Sequence, residues 1–208
     1  MIDFDAITRA PVSSEPFPHF ATANVLSADA LRAIDEDFPA ISQPGIFPLS
    51  ELEYGAAFAD LIAQIESVEL EAIMEEKFGV KLSDRPLMIT VRGHCRSRDG
   101  RIHNDSKDKL ITCLLYLNAS GWNEQGGRLR FLRDEHDLES TIVEVAPEGG
   151  NFVSFKRTEN SWHGHAPYEG PRRYVMFNWL TSEVVLAKNI GRHKISAAFK
   201  RLQLFSGE

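Results

Sequence analysis

The feature that most constrains this chain is a change of period in its apolar residues near Pro86. Before that point they recur at helical spacing. Leu31, Ile34 and Phe38 follow Ser27, whose hydroxyl can cap a helix N-terminus, and Pro39 closes the run. A longer helix is predicted from about Glu53 to Phe78, carrying Phe58, Leu61, Ile62, Ile65, Leu70 and Ile73, with Gly79 as its stop. Beyond Pro86 the pattern turns to short β-like runs: Leu87–Val91, Leu110–Leu117, Leu129–Leu132, Thr141–Val145, Asn151–Phe155 and Tyr174–Leu180. Gly126-Gly127 and the stretch from Pro147 to Gly150 punctuate them. Many short strands after a helical segment predict an α+β chain, a double-stranded β-helix (jelly roll, cupin-like) with its N-terminal helices packed on one sheet.

A chain of 208 residues suits a single domain. Within it, residues 1–85 read as helical support, 86–182 as the jelly-roll core, and 183–208 as a C-terminal amphipathic segment. Lys188, Arg192, Lys194, Lys200 and Arg201 make that last segment basic, and it is expected to pack or to form a homodimer. The net charge of −7 disfavours nucleic acid and anionic membrane as partners. No apolar stretch is long enough to span a bilayer, and the acidic Met1-Ile2-Asp3-Phe4-Asp5 start is unlike a signal peptide. Cys95 and Cys113 form no C-x-x-C pair and read as buried free thiols, so a cytoplasmic setting is expected.

Chemistry concentrates in two places. His103-Asn104-Asp105 precedes the strand Leu110–Leu117, and on extended backbone residues i and i+2 point the same way. One imidazole and one solvent-facing carboxylate could therefore share an ion. Alone the pair is weak, because most such pairs are structural. The second place is Ser161-Trp162-His163-Gly164-His165-Ala166-Pro167, which leads through Gly170-Pro171-Arg172-Arg173 into the last strand. A third ligand from here completes two His and one carboxylate, a set that leaves positions open on iron(II) for a 2-oxo acid and dioxygen. An arginine beyond the ligand offers a planar fork to a distal carboxylate.

From about Leu87 to Trp179 the chain resembles the 2-oxoglutarate and iron(II)-dependent dioxygenases, in their prolyl-hydroxylase-like branch. The landmarks are His103-Asn104-Asp105, Tyr116-Leu117-Asn118, Gly126-Gly127, Pro147 through Phe155, His163 and Arg173. The resemblance implies that His103, Asp105 and His163 bind Fe(II) and serve catalysis, with 2-oxoglutarate and dioxygen as co-substrates. It also implies that Arg173 and the Tyr116 hydroxyl hold the distal carboxylate of 2-oxoglutarate. The family spacing selects His163 over His165, four residues before Pro167, and Arg173 over Arg172. The implied reaction hydroxylates an unactivated C–H bond of a small molecule or a peptide side chain.

Other readings stay open at this point. Ligation by His103, His163 and His165 would make a zinc hydrolase, with Asp105 behind the metal. A non-catalytic jelly-roll binding module is the third possibility. His165, Arg101 and Trp122 are candidate substrate contacts. Arg92, Arg96, Arg98 and Arg101 crowd four positive charges ahead of His103. They read either as a solvated loop paired with Asp99 and Asp108 or as a collar drawing in an anionic substrate.

Overall fold

The computed structural model describes residues 1–119 and 121–192. Helix α1 spans Phe4–Arg9 and α2 Ala28–Glu36, the latter capped by Ser27, whose side chain accepts from the Ala30 amide. The single helix expected from Glu53 to Phe78 is two: α3, Ala56–Ile65, and α4, Val68–Phe78. Ser67 breaks it, its hydroxyl donating back to the Gln64 carbonyl at 2.7 Å while accepting from the Leu70 amide of the new helix. Gly79 ends α4 in the left-handed conformation, φ 60°, as its place in the sequence suggested.

The strands are β1 His19–Thr22, β2 Phe47–Pro48, β3 Leu87–Cys95, β4 Lys109–Tyr116, β5 Leu129–Leu132, β6 Thr141–Val145, β7 Phe152–Lys156, β8 His163–Gly164 and β9 Gly170–Leu180. All six expected strands are present. The short β1, β2 and β8 were not foreseen, and neither was α1. Strands β3 and β9 extend well past the apolar runs that announced them, through Arg92 and Arg172 respectively. One sheet runs β1-β7-β4-β9-β3-β2 and faces a smaller one ordered β6-β5-β8, the two-layer arrangement of a jelly roll.

Strand alternation gives the large sheet two buried faces. On one, Ile89, Val91, Ile111, Cys113, Leu115, Val175, Phe177 and Trp179 pack with Phe58, Leu61, Ile65, Leu70 and Met74 of the helices. Each such side chain contributes on the order of 1.5–3 kcal/mol of burial free energy. On the other, Leu114, Tyr116, Val153, Phe155 and Tyr174 face Leu129 and Phe131 of the small sheet, with Phe17 between them. This second layer is where a pocket can open. A further helix runs over residues 183–192, whereas Lys194, Lys200 and Arg201 of the predicted basic segment lie outside the described residues. No helix among the described residues is long and apolar enough to cross a membrane.

Candidate metal centre and co-substrate pocket

His103 stands just outside the regular sheets and joins β8 through a reciprocal pair of backbone bonds, each 3.0 Å, between its own N–H and C=O and those of His163. The two imidazoles lie 4.3 Å apart, centroid to centroid. Each donates through Nδ1 to a carbonyl two residues earlier, His103 to Arg101 and His163 to Ser161, both at 2.9 Å. That fixes the tautomer and leaves each Nε2 lone pair free for an ion. Asn104 clamps the segment: its Nδ2 donates to the Thr158 and Glu159 carbonyls, and its Oδ1 accepts from Ser161.

Asp105 completes the group. The candidate ligand atoms of His103, Asp105 and His163 all lie within 4.8 Å of one another. The expectation of a solvent-facing carboxylate is corrected here, since Asp105 is only 7% exposed. Its Oδ1 accepts from Lys109 Nζ at 2.8 Å and its Oδ2 from Thr112 Oγ1 at 2.5 Å. Asn178 in turn donates to Thr112 Oγ1 at 2.8 Å, which commits the hydroxyl proton to Asp105. Burial pushes the Asp105 carboxyl up, but the Lys109 charge and the Thr112 hydrogen bond outweigh it and hold it well below the usual carboxylate range. Burial, then the neighbouring His103, pulls the His163 ring down to about 4. At neutral pH the site thus offers an uncharged His163 imidazole and an ionised carboxylate beside the His103 ring. That donor set fits iron(II) with open positions, and His165 takes no part in it.

The three groups open on a cavity of about 180 Å³ between the sheets. Leu114, Leu129, Tyr174 and Met176 line its apolar walls, and Arg172 stands at the end away from Thr112. The sequence expectation for the arginine is overturned. Arg172, 3% exposed, is the one that enters the pocket, donating from Nη2 to the Tyr116 hydroxyl at 3.1 Å and from Nε to the Gly127 carbonyl at 2.8 Å. Arg173 points to the helix side, where it pairs with Asp35 and lies over the Phe38 ring. The reason is strand parity: Arg172 shares a face of β9 with Tyr174, and Tyr174 sits opposite Tyr116. Asn118 secures this register by accepting from the Arg173 amide at 2.6 Å and donating to its carbonyl at 3.1 Å. Burial raises the Tyr116 hydroxyl above its ordinary pKa, partly offset by Arg172, so it stays a neutral donor.

The other candidates disperse. His165 forms part of the pocket wall, its Nδ1 bonded to the Ala166 carbonyl and its Nε2 3.8 Å from Cys95 Sγ. Burial, then Arg172, lowers its ring to about 4. Gly100 lies flat against that ring; a Cβ there would come within 2.4 Å of it, and φ is +82°. Arg101 is exposed and serves the site through its carbonyl alone. Trp122 belongs to a different cleft, with Tyr168 and Arg173. The four-arginine collar also divides: Arg92 is buried in the pocket wall and Arg96 leans on Asp99, whereas Arg98 and Arg101 are exposed. Lys109, Thr112 and Asn178 were missed. The even spacing from Thr112 through Leu114 to Tyr116 was the signal available for the second of these.

A jelly roll with a two-His, one-carboxylate group at the mouth of an arginine-ended pocket defines a class, the mononuclear non-haem iron oxygenases. A family model for the 2OG-Fe(II) oxygenase superfamily matches residues 92–181, which include every one of these groups. The matched segment, a little under half of the chain, is similar to that superfamily, whose description names 2-oxoglutarate and Fe(II). Among solved structures, it is similar to a Pseudomonas putida prolyl-4-hydroxylase at 20% identity and TM-score 0.56, over 85% of this chain and 96% of that one. A viral collagen prolyl hydroxylase from Paramecium Bursaria Chlorella virus-1, solved with 2OG, aligns at 15% identity and TM-score 0.53, over 77% and 93%. A prolyl 4-hydroxylase from Phytophthora capsici aligns at 19% and TM-score 0.50, over 81% and 60%. These likenesses show a fold shared with prolyl hydroxylases. No curated protein matches in sequence.

Proposed function

We propose that the protein hydroxylates an unactivated C–H bond of a small molecule or peptide side chain, with His103, Asp105 and His163 holding iron(II) and Arg172, with Tyr116, holding 2-oxoglutarate. The observation that carries this reading is that one cavity has the His–Asp–His group at one end and the buried Arg172 guanidinium at the other, its hydrogen bonds going to a phenol and a backbone carbonyl and none to a carboxylate. A buried cation without a counter-charge is costly, and a carboxylate is the ligand that relieves the cost. When bound, the iron and its co-substrates supply the oxidising chemistry, decarboxylation of the 2-oxo acid driving hydroxylation of the C–H bond. The chain's residues do the rest. Lys109 and Thr112 orient an ionised Asp105, the Arg101 and Ser161 carbonyls aim the imidazoles, and Leu114, Leu129 and Met176 keep water from the pocket.

Peptidyl proline is the first substrate to test, on the analogy of the prolyl hydroxylases above. An anionic substrate is favoured if Arg98 and Arg101 attract it. A reducing cytoplasm suits two buried free thiols. Anaerobic titration of iron(II) into the protein with 2-oxoglutarate should develop the weak visible charge-transfer band of the chelate. It should vanish in His163→Ala and survive in His165→Ala. Binding of zinc without this band would favour the hydrolase instead.

A further inference from the structure

Arg92 occupies a place that the co-substrate reading leaves unexplained. It lies on β3 directly opposite Tyr174 of β9, and Tyr174 lies opposite Tyr116 of β4. The three side chains therefore form one row across the pocket face of the large sheet, with Arg172 next along the central strand. Both guanidiniums approach the same ring: Cζ of Arg92 is 5.8 Å and Cζ of Arg172 is 5.2 Å from the Tyr174 centroid. Tyr116 stands on one flank of Arg172 and Arg92 on the other.

Arg92 is 9% exposed and lines the cavity. Its Nη1 donates to Asp99 at 2.6 Å and to Cys95 Sγ at 3.3 Å, while its buried Nε has no hydrogen-bond partner. Two buried guanidiniums thus share this end of the pocket with a single carboxylate, that of Asp99. A guanidinium carries five N–H donors in a rigid fork, and an unsatisfied one in a dry wall is a standing demand for an acceptor.

We propose that Arg92 is a second anion-binding residue at the distal end of the pocket, so that the carboxylate of the 2-oxo acid is taken between two guanidiniums, with Asp99 as the resident counter-ion of Arg92. This rests on the co-substrate reading above and deepens it: Arg92 sets the preference for a diacid over a 2-oxo monoacid. Asp99 competes for the same fork, which gives its removal the opposite sign from removal of Arg92.

The test is calorimetric titration of 2-oxoglutarate and of 2-oxovalerate, the same chain without the distal carboxylate, into Mn(II)-loaded full-length protein without oxygen. Arg92→Met should shrink the preference for 2-oxoglutarate by about tenfold or more, as expected for loss of a charge-assisted hydrogen bond. Asp99→Asn, which keeps Arg92 in place, should hold or tighten 2-oxoglutarate binding. If Arg92 merely tied the loop at Asp99 to the sheet, both variants would weaken both acids alike and the preference would not move. That result overturns the proposal. Should Arg92→Met not fold, a loss of affinity in Asp99→Asn overturns it equally. Failure of the parent reading is distinct, since the wild-type protein would then show no preference for 2-oxoglutarate and no dependence on Arg172.

Discussion

The two faces of β9 treat adjacent arginines in opposite ways. On the pocket face Arg172 is buried, and the groups that meet it are a phenol and a carbonyl. On the helix face Arg173 is half-buried, and it meets the carboxylate of Asp35 and the Phe38 ring. The side chain deepest in the protein has the poorer electrostatic partner. Structural arginines follow the second pattern, because charge is cheapest where water and a counter-ion are near. The first pattern stores an unmet preference for an anion, which makes it the signature of a binding residue.

The sharpest way to break this comparison is to remove each arginine in turn. Arg172→Met should raise the dissociation constant for 2-oxoglutarate by about 100-fold, the equivalent of about 2.7 kcal/mol. Arg173→Met should leave it within about twofold, since its guanidinium lies across the sheet from the pocket. Comparable losses in both, measured by titration of the metal-loaded protein, would sink the assignment.

Why parity escaped a reading of the sequence is a physical matter. Alternation announces a strand's faces only when one face is polar. In β9 the pocket face carries Arg172, Tyr174, Met176 and Asn178, and the helix face Arg173, Val175, Phe177 and Trp179. Both begin with an arginine and both are largely buried, because one meets a second sheet and the other meets helices. Counting from His163 could not decide, because the chain turns through Gly170 at φ +141° before the strand is regular. The metal group was legible for the contrasting reason that His103 and Asp105 are two apart on extended backbone, where spacing alone sets direction. Lys109 and Thr112 act on Asp105 through a turn whose geometry the sequence does not announce. The strands past Arg92 and Arg172 were cut short because a buried arginine breaks the apolar pattern by which strands are recognised.

The metal end of the pocket is built in the opposite manner from the arginine end, with its carboxylate fully engaged before any ion arrives. Asp105→Ala should therefore cost stability as well as metal. It strands the Lys109 ammonium, whose side chain is 16% exposed, and leaves the Thr112 hydroxyl without its acceptor. A loss of about 1–3 kcal/mol in metal-free protein is expected from urea unfolding. The partial exposure of Lys109 keeps it below the cost of a fully buried broken pair. Asp105→Asn, whose amide oxygen can still accept from one of the two neighbours, should lose less. An unchanged urea midpoint in Asp105→Ala would mean that Lys109 finds water without cost.

The smallest effect concerns the pocket-side histidines, and it separates the two faces by pH. His163 and His165 are both pulled down to about 4 from an ordinary 6.5, chiefly by burial. The unfolded chain therefore binds protons at a higher pH than the folded one, and folded stability falls as pH drops from about 6.5 towards 4. Asp105 works in the same direction only further down, because its folded pKa lies below that of an unfolded aspartate. Between pH 6.5 and 4.5 the decline in metal-free protein should thus belong to the histidines. His165→Gln, which keeps the volume and an amide donor near the Ala166 carbonyl, should flatten part of that slope in a series of urea midpoints. Arg173→Met should leave the slope unchanged. A slope identical in His165→Gln and wild type would place the proton uptake elsewhere and remove His165 from the buried, neutral wall described for it.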